Sequence, residues 1–263
     1  MGRWDGDTRL HVTERFVRAV ARLIDVTSPV LLIGATRSTG LLAARVLQQR
    51  NVPVRILARN PAAARETLGG DVEIVSGDVT KKDTLVSAFR DVSHVVFTAG
   101  VRSGRFAREA VVKATEYEGV LNTIAAARFQ EFGGRFVYMT SIGVTRQSIF
   151  ASALNVWKGN TMLWRRRAEQ AIRSSGLDYT VVRVAFLLNW TARQRAIRVS
   201  QDESPLTIRE CIARGDVAEA LVEALFHPNT VRTTFEVKWD KGLRRSNWPA
   251  LFNGLKPDEP GAD

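Results

Sequence analysis

From residue 29 onward, short β-type runs, nearly continuous in apolar residues, alternate with stretches whose apolar positions recur at helical spacing. The runs are Val30–Ile33, Val54–Ala58, Val72–Val75, Val95–Thr98, Phe136–Thr140, Tyr179–Val184 and Thr234–Val237. Helical patterns fill the intervals: Gly40–Gln49, Asp83–Phe89, Arg108–Phe129, Gly159–Ser174 and Gly215–Phe226. Strands that are nearly continuous in apolar residues have both faces covered, which is the signature of a parallel sheet between two helical layers. Right-handed crossovers then predict an α/β, doubly wound parallel sheet of Rossmann type. No internal repeat or low-complexity linker interrupts the pattern, so residues 29–263 read as one domain. The stretch Asn189 to Ile208 is less regular and is expected to form a small substrate-side lobe. The tail after Trp239 carries glycine and proline and is expected to end in disorder.

Residues 1–28 stand apart as a helical extension. Leu10, Phe16, Val17, Val20, Leu23 and Ile24 recur at helical spacing opposite Glu14, Arg15, Arg18, Arg22 and Asp25. Thr13 suits the start of that helix, and Ser28-Pro29 ends it. The expected role is an added helix packed on the domain or on a partner. Asp5, Asp7, Glu14 and Asp25 are out of place in an acid-poor transit sequence.

Composition narrows the function. The 263 residues suffice for one large core, and 45% hydrophobic with 25% charged content is ordinary for a globular chain. A single cysteine, Cys211, excludes an internal disulfide framework and points to the cytoplasm or another reducing compartment. His11, His94 and His227 are scattered, so no metal-ligand spacing exists. No apolar run approaches the ~20 residues of a membrane span, and no signal-peptide core follows Met1. The net charge of +11 is the outlier. It favours anionic partners, a membrane surface or protein among them, reached through the basic surface and the N-terminal helix. Nucleic acid is not the expected partner, because the cations are spread along the chain without a binding motif. The oligomeric state is left open.

The chemistry begins after the first strand, in Gly34-Ala35-Thr36-Arg37-Ser38-Thr39-Gly40. A strand, a glycine-bounded turn and a helix start offer bare N–H groups and a positive dipole end to a pyrophosphate. Gly34 allows the tight bend, and Gly40 allows close packing of helix on strand. The second strand ends in Arg59, where an acidic residue would select the ribose 2′-hydroxyl of NAD; a cation suits a 2′-phosphate. Arg37 and Arg59 are therefore expected to grip the 2′-phosphate of NADP(H). Asn189, Trp190, Arg193, Arg195 and Arg198 suggest either an arginine-lined mouth for an anionic or aromatic small-molecule substrate, or a solvated loop. Trp239 and Trp248 read as packing residues.

Gly-Ala-Thr-x-x-x-Gly, Gly77-Asp78-Val79, Thr98-Ala99-Gly100 and Thr140-Ser141-Ile142-Gly143 together resemble the short-chain dehydrogenase/reductase superfamily. The segments 164–169, 175–180 and 214–218 are similar to its atypical branch, the NAD(P)H-binding, nitrogen-repressor-like and sugar-epimerase-like proteins. The resemblance spans about residues 29–238. It implies that Asp78 and Val79 meet the adenine, Thr98, Ala99 and Gly100 the central phosphate–ribose region, and Ser141 the nicotinamide end. The superfamily's redox members use a Tyr-x-x-x-Lys pair. Here Thr161 and Arg165 stand at those positions. A threonine hydroxyl is a far weaker acid than a phenol, and an arginine does not relay protons.

Ser141, Arg165 and Lys158 are the catalytic candidates left. Three readings follow: an NADP(H)-dependent oxidoreductase with a small or medium organic acceptor, a non-catalytic NADP(H)-binding sensor or assembly factor, and an isomerase or cyclase on the same fold.

Overall fold

The computed structural model describes residues 28–69, 72–101, 107–146, 148–242 and 247–259. The expected N-terminal helix lies outside the described residues. The strands form where the apolar runs fall: β1 (Val30–Ile33), β2 (Val54–Ala58), β3 (Glu73–Ser76), β4 (His94–Phe97), β5 (Arg135–Ser141), β6 (Asp178–Val184) and β10 (Thr233–Trp239). With β8 (Ile197–Ser200) they build one eight-stranded sheet in the order β3-β2-β1-β4-β5-β6-β10-β8, parallel except for β8. A separate two-stranded parallel pair joins β7 (Phe186–Leu188) to β9 (Cys211–Ala213). The expected doubly wound sheet is present, and the chain reverses direction of winding between β1 and β4.

Alternate residues of each strand feed two cores. One face carries Val30, Leu32, Ile56, Val96, Val137, Val182 and Phe235 under helices α1 (Ser38–Gln49) and α7 (Arg214–Phe226). The other carries Leu31, Ile33, Val95, Phe97, Phe136, Tyr138 and Val181 under α4 (Gly119–Phe129) and α6 (Thr161–Arg173). Ala43, Ala44 and Ala218 are fully buried, so small residues let α1 and α7 approach the sheet and each other.

Four expectations are corrected. The 83–89 segment forms two single 3₁₀ turns, Lys82–Thr84 and Ser87–Phe89, in place of an α-helix. The 108–129 helix begins as α3 (Glu109–Lys113), passes through one π turn, Ala114–Glu118, and continues as α4. The 189–208 stretch is more than a lobe, because β8 pairs with β10 and closes the sheet edge. The tail does not end in disorder over its described residues: α8 (Trp248–Phe252) buries Phe252 against Phe235 and His227. Asp258 then accepts hydrogen bonds from Thr234 N (2.8 Å), Thr234 Oγ1 (2.6 Å) and Tyr179 Oη (3.0 Å). Two further helices, α2 (Pro61–Leu68) and α5 (Ile149–Trp157), complete the fold.

Candidate functional site

The turn after β1 and the loop after β4 touch at the point where the winding reverses, the place where open α/β sheets hold ligands. Gly34 has φ of +91° and packs on the β4 loop so closely that a Cβ there would lie 2.6 Å from Ala99 N. A Cβ on Gly40 would lie 2.4 Å from Gly34 O and 2.5 Å from Thr98 Oγ1. Thr98 Oγ1 donates toward Ile33 O and Gly34 O (3.2 and 3.3 Å), which locks the two loops together. Gly34, Thr36, Arg37, Ser38, Thr39, Gly40, Thr98, Ala99 and Gly100 are thus brought together.

The start of α1 fits a phosphate. Arg37 is the extended N-cap residue, no side chain caps the helix, and its first turn carries no acid. The buried Thr39 Oγ1 has no hydrogen-bond partner among the described residues. A bound anion at this helix start would satisfy such donors. Arg37 Nη2 reaches Gly100 O at 3.4 Å. Arg59 is exposed at the end of β2 and makes no hydrogen bond or ion pair among the described residues.

Asp78 and Val79 stand further out, beyond β3. Asp78 Oδ1 accepts from Thr80 N and Thr80 Oγ1, both at 2.9 Å, so that oxygen closes a turn. Val79 is buried on the α4 side of the core, against Gly119.

Beyond the ends of β5 and β6 lies a cavity of about 270 Å³. Its polar lining is Glu116, Ser141, Lys158, Thr161, Arg165 and Arg214; its walls include Phe150, Leu154, Met162 and Leu206. All three catalytic candidates from the sequence meet here. Glu116 was not among them. It is 3% exposed and occupies the π turn, whose extra residue changes which side chains face inward. Glu116 Oε2 accepts from Thr161 Oγ1 (2.5 Å) and Arg165 Nε (2.9 Å), and Oε1 accepts from Val101 N (3.1 Å). The sequence signal was present: Val112, Glu116, Val120 and Ile124 form one buried stripe, and a carboxylate inside an apolar stripe requires a partner.

The electrostatics follow from these contacts. Burial opposes the charge on Glu116, but Arg165 and the hydrogen bonds outweigh it and hold the carboxyl below its ordinary range. Burial likewise opposes the charge on Arg165, and Glu116 more than restores it. The Lys158 ammonium makes no hydrogen bond or ion pair among the described residues, its backbone N–H alone donating to Leu154 O at 2.8 Å. Burial and then the Arg165 cation push its ammonium below the usual lysine range, partly offset by Glu116. Ser141 Oγ donates to Ile142 O at 3.1 Å, and Ser141 lines the cavity.

Arg214 was also missed. It starts α7, far away in sequence, yet Nε donates to Ser38 Oγ (3.0 Å) and Nη1 to Asn189 Oδ1 (2.6 Å) and Leu187 O (3.1 Å). It therefore ties the cavity wall to the turn after β1.

Of the two readings of the 189–198 stretch, the solvated loop fits and the arginine-lined mouth does not, since Asn189, Trp190, Arg193, Arg195 and Arg198 are all exposed. Arg193 pairs with Glu219 (2.6 Å) and Arg198 with Asp202 (3.1 Å). Arg195 lies over the rings of Trp190 and Trp239, 5.5 and 4.9 Å from their centroids. These cations are exposed and engage an acid or a ring, and none lines the cavity. Trp239 and Trp248 are packing residues, with Trp239 Nε1 donating to Asp216 Oδ2 at 2.8 Å.

Comparison with known proteins agrees with this geometry. A family model described as NAD(P)H-binding matches residues 34–228. Sanguinarine reductase of Eschscholzia californica is 30% identical over 232 residues, 74% of this chain and 83% of that protein. The photosystem II assembly factor Ycf39 of Trieres chinensis is 24% identical over 217 residues, 81% of this chain and 64% of that protein. Among solved structures, an NAD-dependent epimerase/dehydratase, so described, from Bacillus halodurans superposes with a TM-score of 0.68 at 24% identity. That match covers 82% of this chain and 96% of the other, and it shows the shared fold. With its wound sheet, its uncapped helix start after Gly34 and this match over most of its length, the chain belongs to the NAD(P)H-binding family.

Proposed function

We propose that this chain is an NADP(H)-dependent oxidoreductase that passes a hydride to a small or medium organic acceptor, one with an apolar body and an anionic group. The observation that carries this reading is the convergence of Ser141, Lys158 and Arg165 in one apolar-walled cavity that Arg214 links to the cofactor turn. The likeness to a reductase supports it.

The residues that would hold NADP(H) are the backbone from Gly34 to Gly40, Thr39, the Thr98-Ala99-Gly100 loop, and Arg37 and Arg59 at the adenosine 2′-phosphate. The bound dinucleotide supplies the hydride. The chain supplies the rest. Phe150, Leu154, Met162 and Leu206 exclude water and hold the acceptor's apolar body. Arg165, kept charged by Glu116, presents its remaining N–H groups where negative charge collects on the acceptor. Lys158 Nζ, its proton loosened by burial and by Arg165, donates that proton to the acceptor atom that gains electron density. Ser141 Oγ accepts from or orients the acceptor. Thr161 has no acid role, since its hydroxyl hydrogen is given to Glu116. Conjugated acceptors such as quinones, flavins and enones need less acid assistance than a simple ketone and suit this set.

A non-catalytic NADP(H)-binding sensor or assembly factor is the second reading, favoured by the missing Tyr/Lys pair and by the likeness to an assembly factor. Calorimetry with NADPH and NADH, followed by NADPH oxidation over carboxylated and neutral naphthoquinones, separates the two. The expected result is NADPH binding that Arg59→Asp weakens about ten- to a hundredfold, the worth of one charge-assisted contact, with turnover favouring the carboxylated quinone. Preference for NADH would refute the cofactor assignment. NADPH binding without turnover of any quinone would favour the second reading.

A further inference from the structure

Helix α5 carries an apolar stripe that the fold leaves uncovered. Ile149, Val156 and Trp157 are 93%, 78% and 60% exposed, and Ala153 is exposed between them. The spacing of 149, 153, 156 and 157 puts these four on one helix face. The adjoining face, through Phe150 and Leu154, lines the cavity, so the stripe lies along its mouth, while Ala151 on the far side is buried. Ser148 caps the helix, its Oγ accepting from Ala151 N at 3.0 Å. The helix holds no charged residue, but cations stand at both ends. Arg146 is exposed just before it. Beyond its last residue Lys158 lines the cavity, and exposed Arg108 lies beside that end, since Gly159 packs against the backbone of Ala107 and Glu109; the exposed Glu109 carboxylate there accepts from Trp164 Nε1 at 3.2 Å.

We infer that this face docks on an anionic lipid bilayer, with α5 lying in the plane of the headgroups. An apolar stripe ended by cations, with a tryptophan at one edge, matches the layered polarity of a membrane surface. A second copy of the chain fits worse. Two-fold pairing through this face would bring the same cations together on molecules that each carry a net charge of +11. Anionic headgroups remove that repulsion and supply the countercharge. The nine-residue helix lies on the membrane and does not cross it; among the described residues no helix is long and apolar enough to do so. Docked this way, the cavity would open toward the lipid, where apolar acceptors concentrate. That consequence rests on the proposed reductase activity; the docking does not.

The test is sedimentation of the full chain with vesicles of phosphatidylcholine alone or mixed with phosphatidylglycerol. Binding is expected to the mixed vesicles, to fall with added salt, and to be weak on the neutral ones. Changing Ile149→Ser, Val156→Ser and Trp157→Ser together removes only exposed apolar groups. That variant is expected to need at least about tenfold more lipid for half-binding, with unchanged circular dichroism and NADPH affinity. Equal binding by parent and variant would overturn the inference, as would failure to bind mixed vesicles. A dimer in the ultracentrifuge that the triple change dissociates would overturn it in favour of self-association. Because the readout is lipid binding measured beside NADPH affinity, loss of one leaves the other standing.

Discussion

Replacing Glu116 by Gln separates the structural work of this carboxylate from its electrostatic work. The Oε2 position accepts from both Thr161 Oγ1 and Arg165 Nε, while Oε1 accepts from Val101 N. An amide keeps one acceptor oxygen. Placed toward Val101, it puts an NH₂ group against two donors; placed the other way, it leaves the Val101 N–H unanswered. Breaking a buried ion pair from one side costs about 3–5 kcal/mol. Here the Arg165 side chain is 24% exposed, so water recovers part of that, and about 2 kcal/mol is the expected loss. For a chain of this size the melting temperature should fall by about 5 °C.

The second effect has a definite sign. Glu116 raises the Lys158 pKa, and Arg165 lowers it. Without the carboxylate, Lys158 loses its proton at lower pH. If the Lys158 ammonium is the proton donor, turnover declines as pH rises through its pKa, and in Glu116→Gln that decline moves to lower pH. The assay is the pH profile of kcat for NADPH oxidation with a carboxylated naphthoquinone, beside thermal unfolding. A decline that stays in place or moves upward would refute the role given to Lys158, and an unchanged melting temperature would refute the buried pair.

Lys158→Met should retain NADPH affinity within about twofold while losing turnover; equal turnover would remove Lys158 from the chemistry. His94 accepts from Arg135 N at Nδ1, and burial followed by Arg135 pushes its pKa from 6.5 down to about 4. The folded chain therefore refuses a proton that the unfolded chain takes up below the ordinary value. Stability should fall as pH drops from 6.5 toward 4, by roughly 2 kcal/mol at about pH 5. Urea midpoints at neutral and acid pH, with His94→Gln showing a shallower fall, check this. Asp258→Ala should cost about 2 kcal/mol, because it strips acceptors from Thr234 and Tyr179 and an ion-pair partner from Arg173. Urea unfolding that shows no loss would mean the tail adds nothing.

Several elements illustrate what local pattern can reveal. The seven expected strands lie within one or two residues of the runs that predicted them, because burial on both faces of the inner strands leaves apolar residues at most positions. Helix α5 escaped because one face lines the cavity and the other is exposed, and both are apolar, so no stripe stands out against a polar face. Helix α2 escaped for the opposite reason, with Ala64 its one buried residue among those in the helix. Strand β8 is an edge strand rich in polar residues. The tail's prolines and glycine suggested a loose end, yet Phe252 finds a niche beside Phe235 that only the folded sheet creates.

The glycines at 34 and 40, the apolar strands and the order of helices are written into short segments, and they determined a wound sheet with a dinucleotide turn. Which charges meet was decided elsewhere. Glu116, Lys158, Arg165 and Arg214 come from four separate segments, and of the arginines so suggestive in sequence, Arg193 and Arg195 turn toward an acid and a ring on another element while Arg198 pairs locally with Asp202. A backbone preference is a property of neighbours along the chain, whereas the partner of a charge is set by how far the sheet and its crossovers carry one segment toward another.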